Sequence, residues 1–207
     1  MTDHRAYAPA CARNKDPILD VLQGILDDTA YVLEIAAGTG EHAVHFTDAR
    51  PGWRWQPTDI DDAGLRSQRA WADHVAHDRV LPAKHLSVLE TNWADVLDER
   101  QKFDAVYCCN MIHISPWACT PALFAGAAAV TTSDAVLATY GPYKVNGAHT
   151  AESNARFEAW LHDRSPEFGV RDLADVYGAA EQSGWICKAQ IDMPANNKML
   201  IFKKNPQ

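Results

Sequence analysis

The stretch "VLEIAAGTGEHAVHF", Val32 to Phe46, carries the residues best placed for chemistry: Glu34, Gly38 and Gly40, with Asp59 beyond them. An apolar run enters a glycine turn and leaves as a helical pattern. Glycines there let the backbone approach a ligand closely, and the helix start beyond them offers free N–H groups. "GTGEHA" fits the dinucleotide pattern G-x-G-x-x-G/A, with Ala43 in the last place and Asp59 where an acidic residue holds a ribose diol. Asp59 would equally cap the helix that follows Ile60. Glu34 discriminates between ligands, because a carboxylate in an apolar strand is costly unless paired. A dinucleotide brings a negative pyrophosphate to this region, whereas S-adenosylmethionine (SAM) brings an ammonium and a sulfonium. Glu34 therefore favours a cationic ligand, with a neighbouring Arg or the backbone as the alternative partner.

These residues need a scaffold, and the pattern of the chain supplies one. Asp16-Pro17 reads as a helix start, followed by Ile18, Leu19, Val21, Leu22, Ile25 and Leu26 at helical spacing. "YVLEIAA" is the first strand, and a helix from about Glu41 to Ala49 follows the turn. "WRWQPTD" is the second strand, weakened by Pro57. Ala63 to Ala76 is helical, "KHLSVLE" is a third strand and "FDAVYCCNMI" a fourth. Thr120-Pro121 opens an alanine-rich helix to about Val130, and "AVLATY" is the fifth strand. Helices then follow Thr150 and Asp172, the second stopping at Gly184. "WICKAQIDM" and "KMLIFKK" close the chain as strands joined by "PANN". Alternation of strand and helix predicts a mostly parallel sheet with helices on both faces, and the tight last link predicts one antiparallel pair. With no repeat or linker, residues 1–207 read as a single domain.

Composition narrows the partners. Lys+Arg 19 against Asp+Glu 27 gives a net charge of −8, which argues against a nucleic-acid partner because phosphate binding needs a basic patch. The cysteines Cys11, Cys108, Cys109, Cys119 and Cys187 show no CxxC or framework spacing, as expected of a reduced, cytoplasmic chain. Neither a signal-peptide pattern nor a membrane-length apolar window is present. His42/His45 and His74/His77 lie at i, i+3 spacing but lack acidic or cysteine partners, so no metal site is expected.

The motifs together resemble those of class I SAM-dependent methyltransferases, with "EIAAGTG" similar to the first motif of that superfamily. The chain more narrowly resembles the methyltransferase-like 26 family through "ARNKDPIL", "VLEIAAGTGEHAVHF", "WQPTDID", "NMIHISPW", "YGPY", "GAHTAESNARF", "GVRDL" and "MPANN". The resemblance implies a Rossmann-like fold, a seven-stranded sheet with an antiparallel last strand, and SAM as cofactor. It also implies that Glu34, Gly38, Gly40 and Asp59 hold SAM, with Arg13 and Asn14 on a first helix closing over it. Ser87 stands where such families often carry an acidic residue near the adenine, and Glu90 is the nearby substitute.

In the sheet order implied by this resemblance, the remaining polar clusters fall at carboxyl ends of parallel strands, where open α/β sheets bind ligands. Asn110 would hold the methionine end of SAM. His113, at an unperturbed pKa near 6.5, is a candidate base, or else a cap or backbone partner. Tyr140 and Tyr143 would line the methyl donor, or simply shape the Gly141-Pro142 turn. Ser153, Asn154, Asn196 and Asn197 are candidate substrate contacts, or respectively helix-start and turn residues. Arg171 would clamp a substrate carboxylate, or form a surface ion pair.

The reading that results is a methyltransferase acting on a small polar molecule by in-line transfer, with catalytic candidates His113, Tyr140 and Asn110. One alternative keeps SAM but makes it the sole substrate: its α-amine attacks its own γ-carbon, releasing methylthioadenosine and azetidine-2-carboxylate. A SAM-sensing protein would not need so many polar rim residues. An NAD-linked dehydrogenase would want a second domain.

Overall fold

A computed structural model describes residues 3–97 and 101–205. The elements in chain order are α1 (Pro9–Ile25), β1 (Tyr31–Ile35), α2 (Glu41–Ala49), β2 (Arg54–Asp59), α3 (Asp62–His74), β3 (Lys84–His85), α4 (Trp93–Leu97) and β4 (Phe103–Cys109). They continue as α5 (Cys119–Val130), β5 (Thr131–Gly141), β6 (Lys144–Val145), β7 (Ala148–His149), α6 (Glu152–His162), α7 (Leu173–Gln182), β8 (Trp185–Met193) and β9 (Asn197–Lys204). Seven strands form one sheet in the order β3-β2-β1-β4-β5-β9-β8, with β6 and β7 as a separate hairpin. β9 runs antiparallel between β5 and β8, while the other pairings, from β3 to β5, are parallel. The expected mostly parallel sheet with an antiparallel last strand is thus present.

Each face of the sheet has its own core. On one side Ile18 and Leu22 of α1 pack with Val44 and Phe46 of α2 over Val32, Trp55 and Tyr107. On the other, Trp93, Leu123, Phe124 and Val176 of the helices cover Leu33, Val106, Leu137 and Phe202. Trp53, Trp55, Trp93 and Trp185 are fully buried. Burying an aromatic of this size contributes roughly 4–6 kcal/mol of gross hydrophobic stabilisation before entropy is subtracted. Trp185 also satisfies its indole by donating to the Phe124 carbonyl at 3.0 Å.

Two elements depart from the sequence expectation. α1 begins at Pro9, not at Asp16-Pro17, and Pro17 lies inside it. Pro9 takes the first-turn place, where the missing N–H has no helical partner anyway. Pro17 removes one helical bond, but Asn14, Ile18 and Leu22 are buried at i, i+4, i+8 and hold the helix on the sheet. The third strand shrinks to Lys84–His85, paired with Thr58 and Asp59. Beyond it Leu86 and Val88 turn into the core, and the Glu90 N–H closes a turn on the Ser87 carbonyl at 3.1 Å. Pro57 is tolerated within β2, opposite Glu34. The neighbouring Gln56 amide bridges the Pro57 and Pro82 carbonyls at 3.0 and 2.9 Å, where the ladder towards β3 is interrupted.

Candidate functional site

The glycine turn leaves β1 at its carboxyl end and is held from β2. Gly38 donates its N–H to Asp59 Oδ2 at 2.8 Å and accepts from the Gln68 amide at 3.0 Å. Asp59 Oδ1 accepts from the Ile60 and Asp61 N–H groups at 2.8 and 3.0 Å. Three backbone donors therefore hold the carboxylate, and the Gln68 amide reaches its Oδ2 at 3.5 Å. Asp61, not Asp59, caps α3, accepting from the Gly64 N–H at 2.7 Å. Gly38 (φ +57°) has no heavy atom within 4 Å of where a Cβ would stand, whereas a Cβ on Gly40 (φ +88°) would meet Gln68 Cα at 2.9 Å. The first glycine thus opens onto free space, and the second permits packing against α3. The open space at Gly38, beside a carboxylate at the end of β2, fits an adenosyl ligand.

Glu34 does not wait for a ligand. Its Oε2 accepts from the Trp55 indole at 2.6 Å, and its Oε1 lies 3.7 Å from His42 Nδ1. The cation that its burial demands is supplied by α2, three positions after the first glycine-turn threonine. His42 escaped the sequence reading, in which its spacing to His45 suggested only a metal. The signal for it was the cost of Glu34 itself.

A cavity of ≈ 680 Å³ opens at the rim, and Glu34, Gly38, Gly40 and Asp59 are not among its lining residues. α1 links the two, through Cys11 Sγ at 4.0 Å from Thr39 Oγ1 and Asn14 Oδ1 at 2.9 Å from His42 Nε2. Arg13 and Asn14 of α1, Asn110 after β4, Tyr140 of β5, Ser153 and Asn154 of α6, and Asn197 of β9 line it together with Ala10, Pro142, Phe157, Pro194 and Ala195. The sequence reading missed these last five, although three of the quoted motifs, "YGPY", "GAHTAESNARF" and "MPANN", contain all but Ala10. Asn110 adopts φ +61° and receives the chain turn after β4 through its N–H bond to the Tyr140 carbonyl at 2.8 Å. Asn154 donates to the Thr150 hydroxyl and to the Asn196 carbonyl, both at 3.1 Å, and Asn196 donates to Ser153 Oγ at 3.0 Å. The start of α6 and the turn between β8 and β9 are thereby tied into one wall. Burial raises the Tyr140 phenol to about 12, against the opposing effect of Asn14 and Asn197 beside it, so it remains a proton-holding group. Among the described residues that line it there is no carboxylate, imidazole or thiol.

His113, Tyr143, Arg171 and Ser87 are engaged elsewhere, and Asn196 supports the cavity wall without lining it. His113 is fully buried, donates its N–H to the Asn110 carbonyl at 3.0 Å, and accepts the Arg171 N–H on Nδ1 at 3.4 Å. A Cβ on Gly141 would lie 2.4 Å from His113 Nε2, so strand β5 passes directly over the imidazole. Burial, helped by the Arg171 charge, lowers its pKa to about 3. It is neutral, enclosed and unable to reach a substrate in this arrangement. Tyr143 is likewise fully buried and its hydroxyl is bonded to Thr139 Oγ1 at 2.8 Å. The Arg171 guanidinium donates to the Ile112, Ser115 and Glu167 carbonyls at 2.9, 2.6 and 2.9 Å, which makes it a clasp between two loops instead of a carboxylate clamp. Ser87 closes its own turn, accepting from the Leu89 N–H at 3.3 Å, while Glu90 accepts from the Ser87 N–H at 3.4 Å. Among the described residues no group of three or more His, Cys, Asp or Glu is placed to hold a metal, and no helix is long and apolar enough to cross a membrane.

A family model described as "Protein of unknown function (DUF938)" matches residues 5–204. Solved structures similar in fold include an O-methyltransferase family protein from Burkholderia thailandensis, at TM-score 0.75 and 16% identity, over 95% of this chain and 57% of that one. Human N-acetylserotonin methyltransferase in complex with SAM aligns at TM-score 0.76 and 10% identity, over 95% of this chain and 53% of that one. Magnesium protoporphyrin IX methyltransferase from Synechocystis PCC 6803 with bound SAH aligns at TM-score 0.68 and 12% identity, over 93% and 83%. The chain spans little more than half the length of the first two. At these identities the likeness is one of fold: the Rossmann-like architecture of class I SAM-dependent methyltransferases.

Proposed function

The chain belongs to the DUF938 family, and from its rim we propose that it is a SAM-dependent methyltransferase acting on a small polar molecule. One observation carries the reading: Arg13, Asn14, Asn110, Tyr140, Ser153, Asn154 and Asn197, far apart in sequence, line one cavity. The resemblance to the methyltransferase-like 26 family supports the same reading, as does the fold. The reading treats residues 1–207 as one SAM-binding domain.

Gly38 and Asp59 would hold the adenosyl half, and Arg13, Asn14 and Asn110 the methionine half. When bound, SAM supplies an electrophilic methyl group on its sulfonium. Tyr140 keeps its proton and donates a hydrogen bond that orients the acceptor. Asn197 beside it and Asn154 on the same lining add polar contacts, and Phe157 with Pro142 excludes water there. Such a site accelerates transfer by positioning. With no carboxylate, imidazole or thiol among the described lining residues, the acceptor would enter with a lone pair already available, as a neutral amine or an anionic oxygen or sulfur does. His113, Tyr143 and Arg171 support this wall from behind. A nucleic-acid substrate is disfavoured by the acidic balance of the chain.

The test is mass spectrometry of the purified protein incubated with SAM, alone and with a metabolite extract. S-adenosylhomocysteine formed only with extract is the expected result. Methylthioadenosine formed from SAM alone, beyond its spontaneous rate, would replace transfer by the intramolecular cyclisation.

A further inference from the structure

A four-residue polar chain crosses the core beneath the cavity. It runs from Trp55 on β2 to Glu34 on β1, His42 on α2 and Asn14 on α1, with side-chain distances of 2.6, 3.7 and 2.9 Å at successive steps. All four residues are buried, and only the last lines the cavity. The His42 ring is fixed in place by stacking on Phe46 at 5.3 Å and 8°, and by the edge of Tyr107.

We propose that His42 is a positioning residue: as an imidazolium paired with Glu34, it donates to Asn14 Oδ1 and fixes that amide with its NH2 group towards the cleft. The identification of the receiving ligand as SAM rests on the function proposed above; the geometry of the chain does not.

The groups facing His42 are Cys11 and Asn14 from α1, Glu34 from β1, Tyr107 from β4, and His45 on its own helix. Burial alone would lower the imidazole pKa, but Cys11 and Glu34 outweigh it and raise it to about 9. An imidazolium has two donors and no acceptor, so the Asn14 group facing Nε2 must be the carbonyl. The NH2 group then points the other way, where it meets Cys109 Sγ at 3.8 Å and the cavity wall beside Tyr140. A freely flipping amide would present either an acceptor or a donor, whereas this one presents only a donor. With Arg13 on the same helix, it forms a donor set suited to a carboxylate such as that of the methionine half of SAM. A buried ion pair adds little to stability compared with apolar residues of the same volume. Its orientation of a cleft amide gives the pair a reason to be there.

The test combines nitrogen NMR of histidine- and asparagine-labelled protein with SAM titration calorimetry. At neutral pH, both His42 ring nitrogens should be protonated, and the Asn14 NH2 protons should show proximity to the Tyr140 ring. Glu34→Gln should lower the His42 pKa from its parental value, leaving only the part of the rise that Cys11 supplies. Asn14→Asp still accepts from His42 but has no NH2, so it should melt within a few degrees of the parent. It should nevertheless bind SAM roughly ten- to a hundredfold more weakly, the loss expected of a hydrogen bond to a charged group. A neutral His42 in the parent protein overturns the proposal, and so does parental SAM affinity in Asn14→Asp. If the parent protein binds no SAM, the functional reading fails while the NMR result alone decides the relay.

Discussion

Gly38 and Gly40 share a left-handed backbone and a motif, yet they do different work. Gly40 is crowded by Gln68 of α3, so a side chain there would damage packing first. Gly38 faces open space, so a side chain there fits sterically but would fill the room that the proposed function assigns to SAM. Gly38→Val should strain the turn by about 1–2 kcal/mol, little enough for the protein to stay folded. SAM binding should nevertheless disappear in a calorimetric titration; intact affinity would remove the turn from the binding site. His113 shows the converse. Its type suggested a base, but its contacts make it a peg between the loop after β4 and the loop before α7. Replacing it should disturb folding before it disturbs any chemical step.

At the scale of elements, α4 and α5 meet at a single tight point. A Cβ on Gly126 of α5 would stand 2.2 Å from Cε2 of Trp93, which is 1% exposed. Ala is favoured over Gly in a helix by about 1 kcal/mol, whereas overpacking a core typically costs about 1–3 kcal/mol. The indole is rigid and buried, so the steric cost should prevail. Gly126→Ala should lower Tm in a thermal melt; an unchanged or raised Tm would mean that α5 does not rest on Trp93. The extension of α1 matters more for the site. Starting at Pro9 instead of Pro17, it carries Arg13 and Asn14 as helical residues on the cavity wall. Its first turn is fastened by the Ala8 N–H to Glu41 at 2.6 Å.

For the whole molecule, two buried histidines set opposite pH limits on stability. His113 is lowered to about 3 in the folded protein, against an ordinary imidazole value of 6.5. Below pH 6.5 the unfolded chain binds the extra proton, so His113 makes stability fall on acidification towards about 3. His42 is raised to about 9 from the same value of 6.5. Its contribution is complete below 6.5 and is lost as pH rises through about 9, since the folded state then gives up the proton. Denaturant unfolding across pH should show stability declining on both sides of the mid-6 region. The alkaline decline should flatten in His42→Gln; an unchanged alkaline limb in that variant would show that Glu34 does not hold a charged imidazole.

Sequence by itself determined what depends on local period and turn chemistry. The alternation of strands and helices, the bounds of α2 at Glu41 and Ala49, the strand Trp185–Met193 and the antiparallel closure through "PANN" were all legible, because each burial pattern lies within one element. The clustering of Asn110, Tyr140, Ser153, Asn154 and Asn197 at one rim was legible too, once the strand order was granted. Tertiary structure alone decided which way side chains turn after the strands end. Tyr140 faces the cavity while Tyr143, three residues on, is bonded inside to Thr139. His113 and Arg171 lie far apart in the chain and become partners only where their loops pack together. The same holds for Glu34, whose cost in an apolar strand is plain in the sequence. Its partner could be chosen only by the packing of α2 against β1, because a charge in a core is answered by whichever group the fold brings within reach.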